Sequence, residues 1–231
     1  MNLYRSLRVA PGVTSVVGSG GKTSLLARLA HELPGSVILT TSTHILPFDN
    51  MPLVTDGDAQ SVEEGLRSSR VVCVGAPGRE GKLAAPSLSV AELARRADYV
   101  LVEADGAHGR PLKAHADWEP NVPATTRRTI LLVGASGFGR RIAEVVHRPQ
   151  LICERLGVDG GDVATPELMA RHLAWEMEQG VVTPDVVLVN QCDGEGRRDE
   201  AARFGEELAR LLSVTDAGAR IPRVMGVSLL G

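Results

Sequence analysis

Aromatic residues are scarce. Two tryptophans, two tyrosines and three phenylalanines are spread over 231 positions, too few for the stacking platforms that hold single-stranded nucleic acid or sugars. Cysteine is scarcer still. Cys73, Cys153 and Cys192 are odd in number and far apart, so no disulfide framework is expected and a reducing cytoplasm is the default compartment. No apolar run approaches the roughly 18 residues of a membrane span, and Met1 to Arg8 has no apolar signal core. Neither sign of charge dominates: 25 Lys+Arg oppose 28 Asp+Glu, a formal net charge of -3, which gives no general field for a polyanion. The six histidines come without a CxxC, HxH or HExxH pattern, so no dedicated transition-metal site is expected.

What is present is ordinary for a folded chain: 43% apolar and 23% charged residues. The length suits one α/β domain over 1–231, with loop excursions near 44–60, 75–88 and 106–128. Short, continuously apolar runs at 13–17, 36–39, 70–74, 99–102, 129–133, 186–189 and 224–227 read as strands buried on both faces. Helical patterns lie between most of them. Leu25, Leu29 and Leu33 form one stripe that Pro34-Gly35 ends; Ser61-x-x-Glu64 and Ser89-x-x-Glu92 are capping boxes. Thr165-Pro166-Glu167 starts a helix running to Gln179, and Phe204, Leu208, Leu211 and Leu212 share a face of another. Strands alternating with helices predict a three-layer, doubly wound, mostly parallel sheet, where ligands bind beyond the carboxyl ends of the strands. Polar clusters fall at three such ends: 18–23, 103–106 and 190–193.

Gly18-Ser19-Gly20-Gly21-Lys22-Thr23, continuing into Ser24, lies between a strand and a helix. Glycines let the backbone turn its N–H groups onto phosphate oxygens, and the helix adds its dipole. Lys22 would reach the β- and γ-phosphates and Thr23 would ligate Mg²⁺. The usual GxxxxGK[ST] pattern has a glycine where this chain has Val16, so the loop reads as two residues short. It resembles the Gly-Thr-x-Gly-Lys-Thr loop of the Mur ligases, which bind ATP.

Tyr99-Val-Leu-Val-Glu103-Ala-Asp105-Gly106 looks like a Walker B strand. Glu103 and Asp105 are two apart, so a continuing strand would turn both to one side, and either would serve Mg²⁺ or the attacking water. Glu103-x-x-Gly106 also resembles the switch motif of cobalamin-linked metallochaperone GTPases. Asn190-Gln191-Cys192-Asp193 resembles the Asn-Lys-x-Asp motif that reads guanine, with Gln191 in place of lysine. There the carboxylate accepts from guanine N1–H and the exocyclic amine, a pair adenine cannot offer. The plainer reading is a turn. Thr40-Thr41-Ser42-Thr43-His44 is either a switch, with Thr41 near the γ-phosphate, or a β-branched strand end. Arg110 and Lys113 either stabilise phosphoryl charge, bind an anionic partner or substrate, or are solvated loop cations. Cys192 reads as filler ahead of a reactive thiol.

The blocks Val17–Leu25, Leu39–His44, Leu101–Lys113 (Leu-Val-Glu-Ala-Asp-Gly-Ala-His-Gly-Arg-Pro-Leu-Lys), Glu119–Pro123 and Val146–Pro149 resemble the YqeC-type proteins, accessory proteins of selenium-dependent molybdenum hydroxylases. The resemblance runs from the phosphate loop to Asp193. The chain departs from that pattern at Ser42, His44 and His108, where the family commonly carries Thr, Lys and Lys. The resemblance implies a role in maturing a molybdenum hydroxylase, with Glu119, His147 and Arg148 also important. The expected protein is thus a Mg²⁺-dependent NTP hydrolase, with GTP favoured over ATP. Two alternatives stand: an ATP-dependent ligase or kinase, and a nucleotide-gated binding module with negligible turnover.

Overall fold

The computed structural model describes residues 2–55, 58–214 and 221–229. The chain forms two compact units: Met1–Val17, Lys22–Gly106 and Asn121–Thr129 in the first, and Gly18–Gly21, Ala107–Pro120 and Ile130–Gly231 in the second.

The first unit opens with a short helix α1 (Leu3–Ser6), then β1 (Gly12–Gly18), α2 (Lys22–Glu32), β2 (Val37–Thr41), β3 (His44–Ile45), β4 (Leu53–Val54), α3 (Ala59–Ser68), β5 (Val71–Val74), β6 (Ala76–Pro77), β7 (Leu83–Ala84), α4 (Val90–Leu93) and β8 (Tyr99–Glu103). Its main sheet runs β1-β8-β2-β5-β4, all parallel. Every residue of β2 and β8 is buried, as their unbroken apolar runs require. The chain moves outward from β1 to β2 and β4 and returns through β5 to β8. The right-handed rule for parallel crossovers then predicts α2 on one face and α3 and α4 on the other.

The second unit holds β9 (Leu112–Lys113), the end of β10 (Thr126–Gly134), α5 (Ile142–Val145), β11 (Val146–His147), α6 (Pro149–Leu156), α7 (Pro166–Glu178), β12 (Val186–Asn190), α8 (Arg197–Ser213) and β13 (Arg223–Gly226). Strand β12 pairs parallel with β10 on one side and β13 on the other. Helices α7 and α8 pack along each other, and α8 also covers β13. A two-stranded parallel ribbon joins β9 to β11, with Lys113 in register with His147.

All seven expected strands are present, and within each unit they pair in parallel, as the α/β class demands. The Ser89–Glu92 capping box forms, and Thr165 caps α7. The 75–88 excursion contains the antiparallel hairpin β6–β7, which β3 joins as a third strand. Three readings need correction. The cap of α3 is Asp58, not Ser61: its carboxylate accepts from the Ser61 N–H at 2.8 Å and the Ser61 hydroxyl at 2.9 Å, so the helix starts before the expected box. The 44–60 excursion contributes β4 to the main sheet, because two residues suffice to pair an edge; residues 56 and 57 of that excursion lie outside the described ones. The 106–128 excursion holds β9.

Candidate functional site

The glycine loop is shaped by backbone that only glycine tolerates. Gly18 has φ +87° and Gly20 φ +85°. A Cβ at Gly18 would lie 2.3 Å from the Leu132 carbonyl oxygen, and one at Gly20 would lie 2.5 Å from the Gly134 Cα. Between them the Ser19 N–H donates to Leu132 O at 3.0 Å, and its hydroxyl donates to Pro111 O at 2.8 Å. The Asn190 amide donates to Gly20 O at 2.8 Å and accepts from the Leu229 N–H at 3.0 Å. Asn190 therefore braces this loop, a role that explains why a polar side chain is buried at the end of β12.

In the first unit Lys22 begins α2, with its side chain only 5% exposed. Its ammonium lies 3.0 Å from Asp105 Oδ1 and 3.8 Å from Glu103 Oε1. Glu103 ends β8 and Asp105 follows two residues on, so both acids turn toward the lysine. Thr23 is exposed and Ser24 half-buried on the first turn of α2. The Thr-rich segment spends its hydroxyls on the fold. Thr40 donates to Val74 O at 2.8 Å, Thr41 to Glu103 O at 2.9 Å and Ser42 to Asn121 O at 2.6 Å.

The remaining sequence candidates fall in the second unit. Asp193 is exposed on a turn before α8. Gln191 has φ +65°, and its amide oxygen accepts from the Ser136 hydroxyl at 2.5 Å. Cys192 is buried, and burial pushes its thiol up, which leaves it protonated and packed. Arg110 is exposed. Lys113 is buried on β9, with its ammonium 2.8 Å from Glu119 Oε2. The same oxygen accepts from Arg148 Nη1 at 2.5 Å. Burial opposes ionisation of Glu119, but the hydrogen bonds and charges of Arg148 and Lys113 outweigh it and hold the carboxyl below its usual range.

Sequence reasoning missed a second buried carboxylate. Glu176, on the inner face of α7, accepts from the His115 N–H at 2.7 Å and from Arg155 Nη1 at 3.0 Å, and its other oxygen meets His115 Nδ1 at 2.9 Å. Arg155 also donates to His115 O at 2.7 Å and lies over the Trp175 ring at 4.6 Å. Burial pushes His172, 3.7 Å from Glu176, down to about 4. A cavity of ≈ 20 Å³, with room for an ordered water, is lined by Gly18, Ser19, Lys113, His115, Glu176 and Phe204 among others. The only sequence signal for Glu176 was a charged residue on the apolar stripe of an otherwise amphipathic helix.

Comparison with known proteins fits this arrangement to a family. The profile of the YqeC protein family matches residues 14–150, and the chain belongs to that family. A 148-residue stretch is 38% identical to the Escherichia coli (strain K12) "Uncharacterized protein YqeC", covering 60% of this chain and 58% of that protein. The match thus spans little more than half the length of this curated relative. Among solved structures, the "Crystal structure of LAO/AO transport system kinase" superposes with a TM-score of 0.42 at 17% identity, covering 96% of this chain and 54% of that one. Among the described residues no helix is long and apolar enough to cross a membrane, and no group of three or more His, Cys, Asp and Glu side chains is placed to hold a metal ion.

Proposed function

We propose that this protein binds a nucleoside triphosphate with Mg²⁺ and hydrolyses it, GTP in preference to ATP. The observation that carries the reading is the approach of the Lys22 ammonium to Asp105, at 3.0 Å, and to Glu103. A lysine at the start of a helix, meeting two acids at a strand end, is the polar set that phosphoryl transfer needs. The donor set suits a hard cation: Thr23 offers a hydroxyl, and Glu103 and Asp105 offer carboxylates. Bound there, Mg²⁺ would neutralise charge developing on the phosphates. Lys22 holds the phosphates, and Glu103 or Asp105 orients the water that attacks. Asp193, exposed beside the braced Asn190, is the residue that would read guanine.

The resemblance of its motif blocks to the YqeC-type accessory proteins supports a place in maturing a molybdenum hydroxylase, with the hydroxylase or its cofactor-maturation proteins as partners; the few cysteines and balanced charge of the sequence favour the cytoplasm and no nucleic-acid partner. A second reading, an ATP-dependent ligase or kinase, draws on Arg110, an exposed cation that an anionic acceptor could pair with.

Calorimetric titration with non-hydrolysable GTP and ATP analogues in Mg²⁺ tests the proposal on the wild type, Lys22→Ala and Asp193→Asn. GTP binding that is lost in Lys22→Ala, and whose preference over ATP is lost in Asp193→Asn, is the expected result. Equal or tighter binding of ATP would make Asn190–Asp193 only a turn and favour the ligase or kinase. No binding of either nucleotide by folded protein would overturn the reading.

A further inference from the structure

Inside the second unit, the ribbon β9–β11 brings together side chains that the nucleotide reading does not use. His147 ends β11, in register with Lys113. The His108 ring stacks on it, with centroids 4.8 Å apart and planes at 27°. Arg148 follows in a left-handed conformation, φ +63°, and His108 has φ +47°. Two non-glycine residues in this region at one small cluster are the kind of backbone strain that a site, rather than a core, retains. The turn at Arg148 sends its guanidinium back to Glu119 and over the Trp118 ring at 5.5 Å. Trp118 is itself 71% exposed.

Two kinds of hydrogen-bonding capacity are left over. His147 Nε2 is buried and has no partner among the described residues. Arg148 uses only Nη1; its Nε and Nη2 have no acceptor among the described residues. A buried ring nitrogen without a partner carries its full desolvation cost, and a guanidinium edge donates side by side to two oxygens.

We propose that His108, His147 and Arg148 form a binding site for a small oxyanion, the carboxylate or phosphate group of a second substrate. The free edge of Arg148 supplies paired donors and His147 Nε2 supplies a third group. The exposed faces of His108 and Trp118 wall the site. A metal is a poor fit, since stacked imidazoles turn faces rather than lone pairs toward each other and, among the described residues, no third ligand is placed with them. Electrostatics agree with an anion. Burial pushes His147 down to about 4, and Arg148, Lys113 and His108 push it the same way while Glu119 opposes them. The ring is therefore neutral at neutral pH and sits in a positive local field. A bound oxyanion would counter that field and raise the midpoint. Every residue of this site lies in the second unit, and it requires no nucleotide.

Histidine side-chain NMR tests the site, with inorganic phosphate and acetate as separate probes and His147→Gln and His108→Gln used to assign the two rings. The expected result is a saturable shift of both ring signals with one probe, together with an upward move of the His147 midpoint. Stronger response to phosphate identifies a phosphorylated substrate, and stronger response to acetate a carboxylate. The shift should survive Lys22→Ala, which removes the ammonium of the glycine loop. It should weaken about tenfold in Arg148→Lys, which keeps the charge but loses the paired donors. Absence of a saturable shift with both probes in the wild type would overturn the proposal. So would a shift abolished by Lys22→Ala, which would place the anion on the glycine loop instead, or one unchanged in folded Arg148→Met.

Discussion

Buried charge is organised differently in the two units. In the first, one lysine meets two acids: Lys22 faces Asp105 and Glu103. In the second, single carboxylates each gather several donors: Glu119 takes Lys113 and Arg148, and Glu176 takes Arg155 and both the backbone and ring of His115. The first arrangement joins a helix start to a strand end, the places where α/β sheets present chemistry. The second ties α6, α7 and the segment around β9 together through hydrogen bonds to an ionised group. Such a group costs several kcal/mol to bury and is kept only when its bonds are complete. The first set gathers where a helix starts and a strand ends, while the second ties segments of its unit together and leaves one edge of Arg148 for the proposed anion.

The largest expected effect is at Glu176. Glu176→Ala leaves Arg155 and the His115 N–H without their shared acceptor and should cost about 3–5 kcal/mol of unfolding free energy. Urea denaturation measures it, and a loss below about 1 kcal/mol would erase the contrast between the units. Next is the acid response of the same cluster. His172 is held neutral, with its folded-state value near 4 against an ordinary 6.5. The unfolded chain therefore binds its proton first as pH falls. Stability should be full above about pH 6.5 and drop between there and pH 4, by on the order of 3 kcal/mol. His172→Gln should flatten that part of the profile; an unchanged slope would assign the acid sensitivity elsewhere. The smallest effect is at Asp193. Exposed on its turn, it should change stability by no more than about 0.5 kcal/mol on conversion to Asn, so that any change in nucleotide preference reads recognition alone. A larger loss in thermal melting would make Asp193 a structural residue like Glu176.

Much of this was legible from local pattern. The seven strands announced themselves as short apolar runs, because parallel strands covered on both faces have no polar side to show. Gly18, Gly20 and Lys22 were legible because a tight strand-to-helix turn at positive φ has few sequence solutions. Their companions Glu103 and Asp105 were legible because an acid directly after a buried strand has nowhere to go but the sheet end. Other features were hidden. Asp58 displaced the expected cap at Ser61 because two oxygens on one carboxylate satisfy both the backbone and the hydroxyl of that serine. Strand β4 escaped notice because its two residues take their strand character from pairing with β5, not from their own sequence. Asn190 belongs to a segment that resembles a base-reading motif, and the bonds that occupy it, to Gly20 and Leu229, span residues far apart in the chain.

By itself, then, the sequence determined the α/β class, the order of the strands along the chain, and the glycine loop with its lysine and paired acids, since each follows from interactions within a few residues. Only the tertiary structure decided the strand order across the sheet, the bracing of the glycine loop by Asn190, the clustering around Glu119 and Glu176, and the stacking of His108 on His147. Those contacts join residues tens of positions apart. Their energy comes from geometry that exists only after the chain has folded, so no local pattern of residues encodes it.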